Sequence, residues 1–588
     1  MDLFQYDSLK LNNSFRVLIL SPGGPDDVLQ GELETVDSGA AGEYEAISYV
    51  WGSPSRDFAM VCNGAPILLT RSLFMALKRV RLLTGPRRIW ADQVCINQDD
   101  VEERSQQVKF MDGIYRNAAR ILVWLGEDKE SIAPSSFTSI QHLSQIIKDH
   151  QIDSNALSDD QWASIRALTT RPWFGRVWII QEIGTRTPAT LFWGEGTMEW
   201  DLLHSVCRDL TEYHHLRKQV NIQTAKIKYL YYRYVQPDKE SRHANRYNFI
   251  YELHRARHLG ATDPRDRVFA FLGHFSAYQN AQIRGVVANY ATSVEDVYCD
   301  VSIRSLKGGD EGMITLAAVQ HVELPSHSPL SEVPGPEERL ALPTWVPDWR
   351  IYQSHILYEP TTSHDASRGI RPDLVVDGNS KTLYAKGLHV DTVKVCAVPF
   401  EPRHFHVDGA IWPQSIERVW REICGHSDFD LKIPYVNGDS AVFAYTQTLS
   451  NGCVALAWQD GLAGSAARDE WLAHSAAYIS VAAGRTCTVH EGIRQLAKAG
   501  DEYKWARAAN GASGNRVFAR TKRGRYVLGP KVMKEGDIIC VLFGGKLPFC
   551  LRPWGERYLL VGECYVHGIM QGEALDGNRG GGQTFSII

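Results

Sequence analysis

Within the stretch Arg171-Pro172-Trp173-Phe174-Gly175-Arg176-Val177-Trp178-Ile179-Ile180-Gln181-Glu182-Ile183, two side chains are spaced to do chemistry together. Trp178 and Glu182 stand four residues apart, so on a helix they share a face. A carboxylate beside buried indoles loses water, which raises its pKa and suits it to act as an acid or to steady a developing cation. The structural alternative is an ion pair with Arg176 or Arg186, the commoner fate of a carboxylate near arginines. Pro172 fits a first helical turn, Thr170 is placed to cap it, and Gly184 suits a left-handed C-terminal cap, so one short helix is expected here.

Other polar groups gather upstream. Trp51-Gly52-Ser53 follows an apolar strand-like run, and Asp92 ends another, so both fall where a sheet offers its ligand-binding edge. Asp92, Asp99, Asp100 and Glu103 invite a metal reading, but acids just before a helix at Val101 are expected to cap it, and no metal site is assigned. Asn97 and Gln98 are read as satisfying turn backbone groups. Asp263-Pro264-Arg265-Asp266 reads as a capped helix start with a local ion pair. His214-His215 and His404-Phe405-His406 lack partners at zinc spacing, and Gly577–Gly582 lacks the Lys-Ser/Thr of a phosphate loop.

The elements that must position these groups alternate. Strands are expected at 14–20, 29–35 and 44–50, with a hairpin over Met60–Thr70 turning at Asn63-Gly64. A helix capped by Thr70 runs to about Leu83, and the strand Arg88–Asp92 follows. Next come an amphipathic helix burying Val108, Met111, Ile114, Tyr115 and Ala118, and the strand 120–126. Helices at 136–149 and 159–168 lead back to Arg171. This succession predicts a parallel sheet covered by helices, with Trp51-Gly52-Ser53, Asp92 and the Trp178/Glu182 helix converging beyond its carboxyl edge.

A chain of 588 residues suggests about three to four domains. Its net charge of -5, without a basic run, excludes nucleic acid and anionic membrane as expected partners. Eleven cysteines, never paired as CxxC, read as reduced thiols, with Cys62, Cys95, Cys540 and Cys564 buried. Neither a signal peptide nor an apolar run of ~20 residues is visible, so a cytoplasmic protein without a membrane span is expected.

Five blocks carry a family resemblance. Tyr44-Glu45-Ala46-Ile47-Ser48-Tyr49-Val50-Trp51-Gly52, Ile89-Trp90-Ala91-Asp92-Gln93-Val94-Cys95-Ile96-Asn97-Gln98-Asp99-Asp100, Glu103-Arg104-Ser105-Gln106-Gln107-Val108, Val123-Trp124-Leu125-Gly126 and Arg171–Ile183 resemble, in order, the blocks of the fungal heterokaryon incompatibility (HET) domain. Further segments (261–273, 342–350 and 559–570) are similar to regions downstream of that domain in filamentous-fungal proteins. The resemblance implies a role in non-self recognition that triggers programmed cell death. More distantly, Trp178-Ile179-Ile180-Gln181-Glu182-Ile183 resembles the Trp-x-x-x-Glu helix of Toll/interleukin-1 receptor (TIR) domains, whose glutamate enables NAD+ cleavage. That likeness implies Glu182 as the catalytic residue; Trp51, Gly52, Ser53, Asp92 and Trp178, which the sheet edge is expected to bring together, are then the expected contacts to NAD+ as substrate. No separate cofactor is implied. The segment between Trp124 and Arg171 is longer than in a typical TIR domain.

The expected organisation is a HET domain over 1–190 (motif core 44–183; TIR-like parallel sheet flanked by helices) and a mainly helical region over 191–350 with a proline-rich loop. A mixed α+β region over 351–505 and a small β-rich module over 506–588 with a glycine-rich tail complete it. Helices are expected at Ile222–Tyr234, Tyr247–His258, 413–424 and 466–480, with strands at Thr382–Leu388, Thr392–Val398 and five more over 517–565. Trp345, Pro347 and Trp349 read as aromatic anchors. The expected function is an incompatibility effector that hydrolyses NAD+. The alternative is a non-enzymatic module acting by self-association or by binding a protein partner or allelic non-self ligand.

Overall fold

The computed structural model describes every residue except 1–2, 10–12, 150–151, 154, 225–226, 228–229, 231–243, 326–341, 402–403, 406–415, 454–464 and 577–580. The Ile222–Tyr234 helix, the Pro329–Pro336 run, His406 and most of the glycine-rich tail fall wholly or largely outside the described residues. Two compact units are present. One comprises Met1–Tyr247 and His258–Val294, the other Asn248–Arg257 and Glu295–Ile588.

The first unit is built on nine strands: β1 (Ser14–Leu20), β2 (Gln30–Asp37), β3 (Glu45–Tyr49), β4 (Phe58–Cys62), β5 (Ala65–Leu69), β6 (Arg87–Trp90), β7 (Arg120–Gly126), β8 (Ala189–Trp193) and β9 (Gly196–Glu199). They lie in the order β5-β4-β2-β1-β6-β3-β7-β8-β9. The expected parallel sheet is its core: β6, β3, β7 and β8 run parallel, while β1 joins β2 and β6 antiparallel and hairpins close both edges. Ala46–Tyr49 and Ile121–Leu125 are buried without alternation, as in strands covered on both faces. The sheet is therefore mixed: the hairpins β1–β2, β4–β5 and β8–β9 can pair only antiparallel, β1 also lies antiparallel to β6, and β2 pairs parallel with β4.

Local signals set many boundaries. Asn63 and Gly64 both take positive φ (48° and 82°), the two-residue turn that matches the strand twist. Thr70 Oγ1 accepts from the Leu73 N–H and starts α1 (Arg71–Val80). After the short α2 (Asp92–Cys95), Asp100 accepts from the Glu102 and Glu103 N–H groups at 2.9 and 3.0 Å and caps α3 (Val101–Asn117). Glu103 pairs in the interior with Arg16 at 2.6 Å and takes the Asn97 N–H. Gln98 donates to the Asp92 carbonyl, and Asn97 accepts from the Asp99 N–H. These polar residues are thus occupied in holding the turn.

After α4 (Ala133–Lys148) and α5 (Asp159–Thr169), the expected single helix over 171–183 is two pieces. Pro172–Gly175 is a 3-10 turn and α6 spans only Ile179–Glu182. The break has a tertiary cause: the Val177 N–H donates to the Gly260 carbonyl and the Gly260 N–H to the Gly175 carbonyl, so Arg176 bridges to Gly260 like a strand. Thr170 ends α5 rather than capping the 3-10 turn, and Ile183, in right-handed helical backbone, terminates α6, leaving no left-handed cap at Gly184.

In the second unit, β10 (Leu374–Asp377) pairs with β11 (Thr382–Cys396), one bent strand where two were expected. A two-stranded pair, β12 (Asp428–Phe429) and β13 (Thr488–Val489), stands apart. The remaining strands are β14 (Arg516–Thr521), β15 (Tyr526–Pro530), β16 (Ile538–Leu542), β17 (Phe549–Trp554), β18 (Arg557–Glu563), β19 (Tyr565–Val566) and β20 (Gln583–Ile587). The sequence β11-β16-β17-β18-β20-β11 closes into a ring, because different parts of β11 pair with β20, β16 and β14. Bulges near Asp391 and Lys394 bend β11 enough for this. Gly387 is needed at the crossing, where a Cβ would lie 2.4 Å from the Val541 carbonyl oxygen. Val393, Ile539, Val541, Cys550 and Val561 contribute to one core, and Trp420, Tyr445, Trp505 and Phe518 to another. Trp345 and Trp349 are fully buried anchors. None of the eleven cysteines is in a disulfide. Among the described residues, no helix is long and apolar enough to cross a membrane.

Candidate functional site

Taken in chain order, the four parallel strands β3, β6, β7 and β8 lie side by side as 2-1-3-4. This is a doubly wound arrangement whose crossovers reverse direction between β3 and β7. A cavity of ≈ 830 Å³ opens there, beyond the carboxyl ends of β3, β7 and β8. Its volume lies within the range of small-molecule sites. Trp51, Gly52 and Ser53 line one side, Trp124, Gly126 and Glu127 the floor, and Arg71, Arg171 and Trp193 the remaining walls.

Several wall residues are held by neighbours. Arg171 donates Nε and Nη2 to the Leu125 carbonyl at 2.9 and 2.6 Å, and its guanidinium lies 5.1 Å from the centre of the Trp193 ring. Burial pulls the Arg171 pKa down, and Asp128 pushes it back up. Gly126, at φ +110°, leaves room for this arginine: a Cβ there would stand 2.5 Å from Arg171 Nη2. Arg71 reaches from the start of α1 to Glu127 at 2.9 Å, with the arginine side chain 59% exposed and so free to exchange partners. Asp128 accepts the N–H groups of Ile132 and Ala133 and anchors the start of α4.

Asp92 sits beside the cavity rather than in its wall. Its carboxylate accepts from Tyr49 Oη (2.7 Å), Trp51 Nε1 (2.8 Å) and the Gln93 N–H (2.8 Å). It therefore orients the Trp51 indole instead of reaching for a ligand. Burial, then the Asp92 charge, raise the Tyr49 pKa well above its ordinary value, so Tyr49 is a donor throughout the accessible pH range.

Glu182 lies beneath this layer with its side chain only 3% exposed. Arg176 grips it with both Nη atoms at 2.8 and 2.9 Å, and Ser48 Oγ donates to Oε2. Trp173 Nε1 in turn donates to Ser48 Oγ at 2.7 Å. Burial pushes the Glu182 carboxyl upward, and Arg176 and Ser48 pull it back only in part. For Arg176, burial pulls downward most, but the charge and hydrogen bond of Glu182 together with the nearby Asp92 charge leave its pKa raised. Of the two arginines that the spacing allowed as partners, Arg176 is the one engaged.

Trp178 turns the other way. Its Nε1 donates to Asp266 Oδ2 at 3.0 Å, and Tyr290 Oη donates to Asp266 Oδ1 at 2.7 Å. Burial raises the Asp266 carboxyl to about 6. The local pair between Arg265 and Asp263 is present at 2.7 Å. The structure thus gathers Trp51, Gly52 and Ser53 at the cavity and leaves Asp92, Trp178 and Glu182 outside its wall. Sequence reasoning missed Arg71, Glu127, Arg171 and Trp193 as wall residues. Trp124-Leu125-Gly126, an aromatic and a glycine at a strand end, was the available signal for the floor.

Residues 44–182 match the family model described as Heterokaryon incompatibility protein (HET), and residues 462–581 match that of the Het-6 beta-barrel domain. The chain is 24% identical to "Heterokaryon incompatibility protein 6, OR allele" of Neurospora crassa, an alignment covering 98% of this chain and 97% of that relative. No solved structure matches. The HET match begins one residue before β3 and ends at Glu182, taking in the parallel strands β3, β6 and β7 together with the buried carboxylate. With both models matched in chain order and a relative aligned along nearly its whole length, the resemblance to heterokaryon incompatibility (HET) domain proteins read from the sequence blocks is borne out.

Proposed function

We propose that this protein is an effector of fungal non-self recognition, triggering programmed cell death when incompatible partners meet. The observation that carries this reading is the likeness along 98% of the chain to a relative named for heterokaryon incompatibility. The test is expression of the full chain in a fungal strain lacking it, with fusion to strains carrying different alleles scored by a vital dye. Fusion cells that survive in every pairing refute the role.

The finer reading is that the first unit is TIR-like and hydrolyses NAD+. The bond between the ribose and nicotinamide breaks, nicotinamide leaves with the bonding pair, and water supplies the hydroxyl at the ribose carbon, giving ADP-ribose and a proton. The Glu182 carboxylate steadies the oxocarbenium-like transition state. The 2-1-3-4 strand order and a cavity at its switch point, walled by Trp51, support a nucleotide-sized ligand. A second reading, signalling by self-association or partner binding without catalysis, is favoured by the three donors that occupy Glu182. The two separate on incubating the protein and its Glu182→Gln variant with NAD+ and following nicotinamide. Turnover abolished by Glu182→Gln supports hydrolysis at this residue, and no turnover by the intact protein in any oligomeric state supports the second reading.

A further inference from the structure

The backbone leading to Glu182 is held by a part of the chain that lies beyond the HET-matched region. Residues 258–294 return to the first unit and touch the Gly175–Glu182 segment repeatedly. The Gly260 carbonyl accepts from the Val177 N–H at 2.9 Å, and the Gly260 N–H donates to Gly175 at 2.6 Å. Asp266 takes the Trp178 indole N–H, and the Phe269 carbonyl accepts from Gln181 Nε2 at 3.3 Å. Gly273 packs so closely that a Cβ would lie 2.4 Å from Asp112 Cβ and 3.5 Å from Gln181 Nε2. These contacts set the backbone on both sides of Arg176, the residue that grips Glu182.

The connectivity of this segment is unusual. It is preceded by Asn248–Arg257 and followed by Glu295–Ile588, both part of the second unit. Its two ends therefore continue into the unit that carries the barrel, while Gly260–Gly273 within it contact Gly175, Val177, Trp178 and Gln181 on either side of Arg176. Given the reading of Glu182 as the functional carboxylate, on which this rests, we propose that residues 258–294 form a clamp through which the second unit governs release of Glu182. Loosening of the second unit slackens both tethers, frees the backbone at Val177 and lets Arg176 leave the carboxylate. The interior of the parallel sheet is held by its own ladder and stays folded.

Native-state hydrogen exchange on the full chain tests this without any substrate. Low urea that opens the barrel amides Ile539–Val541 is expected to open the Val177 and Gly260 amides with the same dependence, while Ile47–Tyr49 and Leu122–Trp124 stay protected. Asp266→Asn and, separately, Trp178→Phe are expected to speed exchange over 175–183 by roughly tenfold or more, the size of losing one hydrogen bond to a charged group. Exchange of Val177 and Gly260 together with the sheet core overturns the clamp, as does indifference to both substitutions, or loss of protection throughout the first unit in both variants. Loosened exchange with no nicotinamide released at any urea concentration supports the clamp and refutes hydrolysis, which keeps the two readings separate.

Discussion

Removing Arg176 while leaving Glu182 in place is the most informative perturbation of the first unit. Arg176→Met keeps much of the arginine stem's volume and deletes both hydrogen bonds to a carboxylate whose side chain is 3% exposed. Breaking a buried pair from one side costs about 3–5 kcal/mol, because the surviving charge stays buried without its partner. Glu182→Gln leaves no buried anion, and Arg176, 17% exposed, can regain some water, so a smaller cost of about 1–3 kcal/mol is expected. The pH dependence follows from burial, which already raises the Glu182 pKa in the folded protein. Without Arg176 it rises further. An acid whose folded pKa lies above its unfolded value, about 4.3 for glutamate, contributes stability that is present below that value. The contribution is lost as pH rises through the folded pKa, by at most about 1.4 kcal/mol per pH unit. The penalty of Arg176→Met should therefore be small in acid and grow toward neutrality. Because the chain has two units, the assay is hydrogen exchange at the β3 amides Ile47–Tyr49, which reads the first unit alone. Equal penalties at about pH 5 and about pH 8 would refute the reasoning, as would a Glu182→Gln variant as unstable as Arg176→Met.

Three further outcomes are expected. Asp266, raised by burial to about 6, contributes stability that is full below about pH 4 and lost as pH rises through about 6; Asp266→Asn should flatten that part of the first unit's stability profile, measured by the same exchange method. Gly126→Ala forces a side chain into positive φ and against Arg171, costing about 1–3 kcal/mol and displacing the guanidinium from the cavity, detected as weaker NAD+ binding by calorimetry. Asp92→Asn cannot accept from both Tyr49 and Trp51 as the carboxylate does, so about 1 kcal/mol is lost and the Trp51 ring gains freedom. Fluorotryptophan NMR, with Trp51→Phe for assignment, should show a broadened or shifted Trp51 line, and an unchanged line would refute the orienting role of Asp92.

Features that depend on neighbours in the chain are legible in the sequence. Asn63-Gly64 turns a hairpin because two adjacent residues tolerate positive φ. Thr70 and Asp100 start helices because their side chains reach N–H groups two or three residues on. The strands 14–20 and 120–126 have the limits their composition predicts, since their runs are largely apolar and bounded by polar residues or glycine. The candidate site is legible in part: Trp51, Gly52 and Ser53 reach the cavity because they continue a central strand beyond its carboxyl end. Arg71, Arg171 and Trp193 are not recognisable as its walls from sequence, because nothing in their own segments says that α1, the 3-10 turn and β8 meet at one point.

The helix around Trp178 and Glu182 marks where local reasoning ends. Spacing alone puts the two on one face, yet a backbone bridge to Gly260, over eighty positions away in sequence, splits the segment and sends Trp178 to Asp266 and Glu182 to Arg176 and Ser48. The sequence by itself determined the apolar strands, their caps and turns, and a carboxylate set among tryptophans, because each depends on residues within a few positions. Only the tertiary structure decided which donors surround that carboxylate, which residues wall the cavity, and that β11 closes a ring. Those outcomes depend on hydrogen bonds and packing between segments far apart in the chain, whose pairing no local pattern specifies.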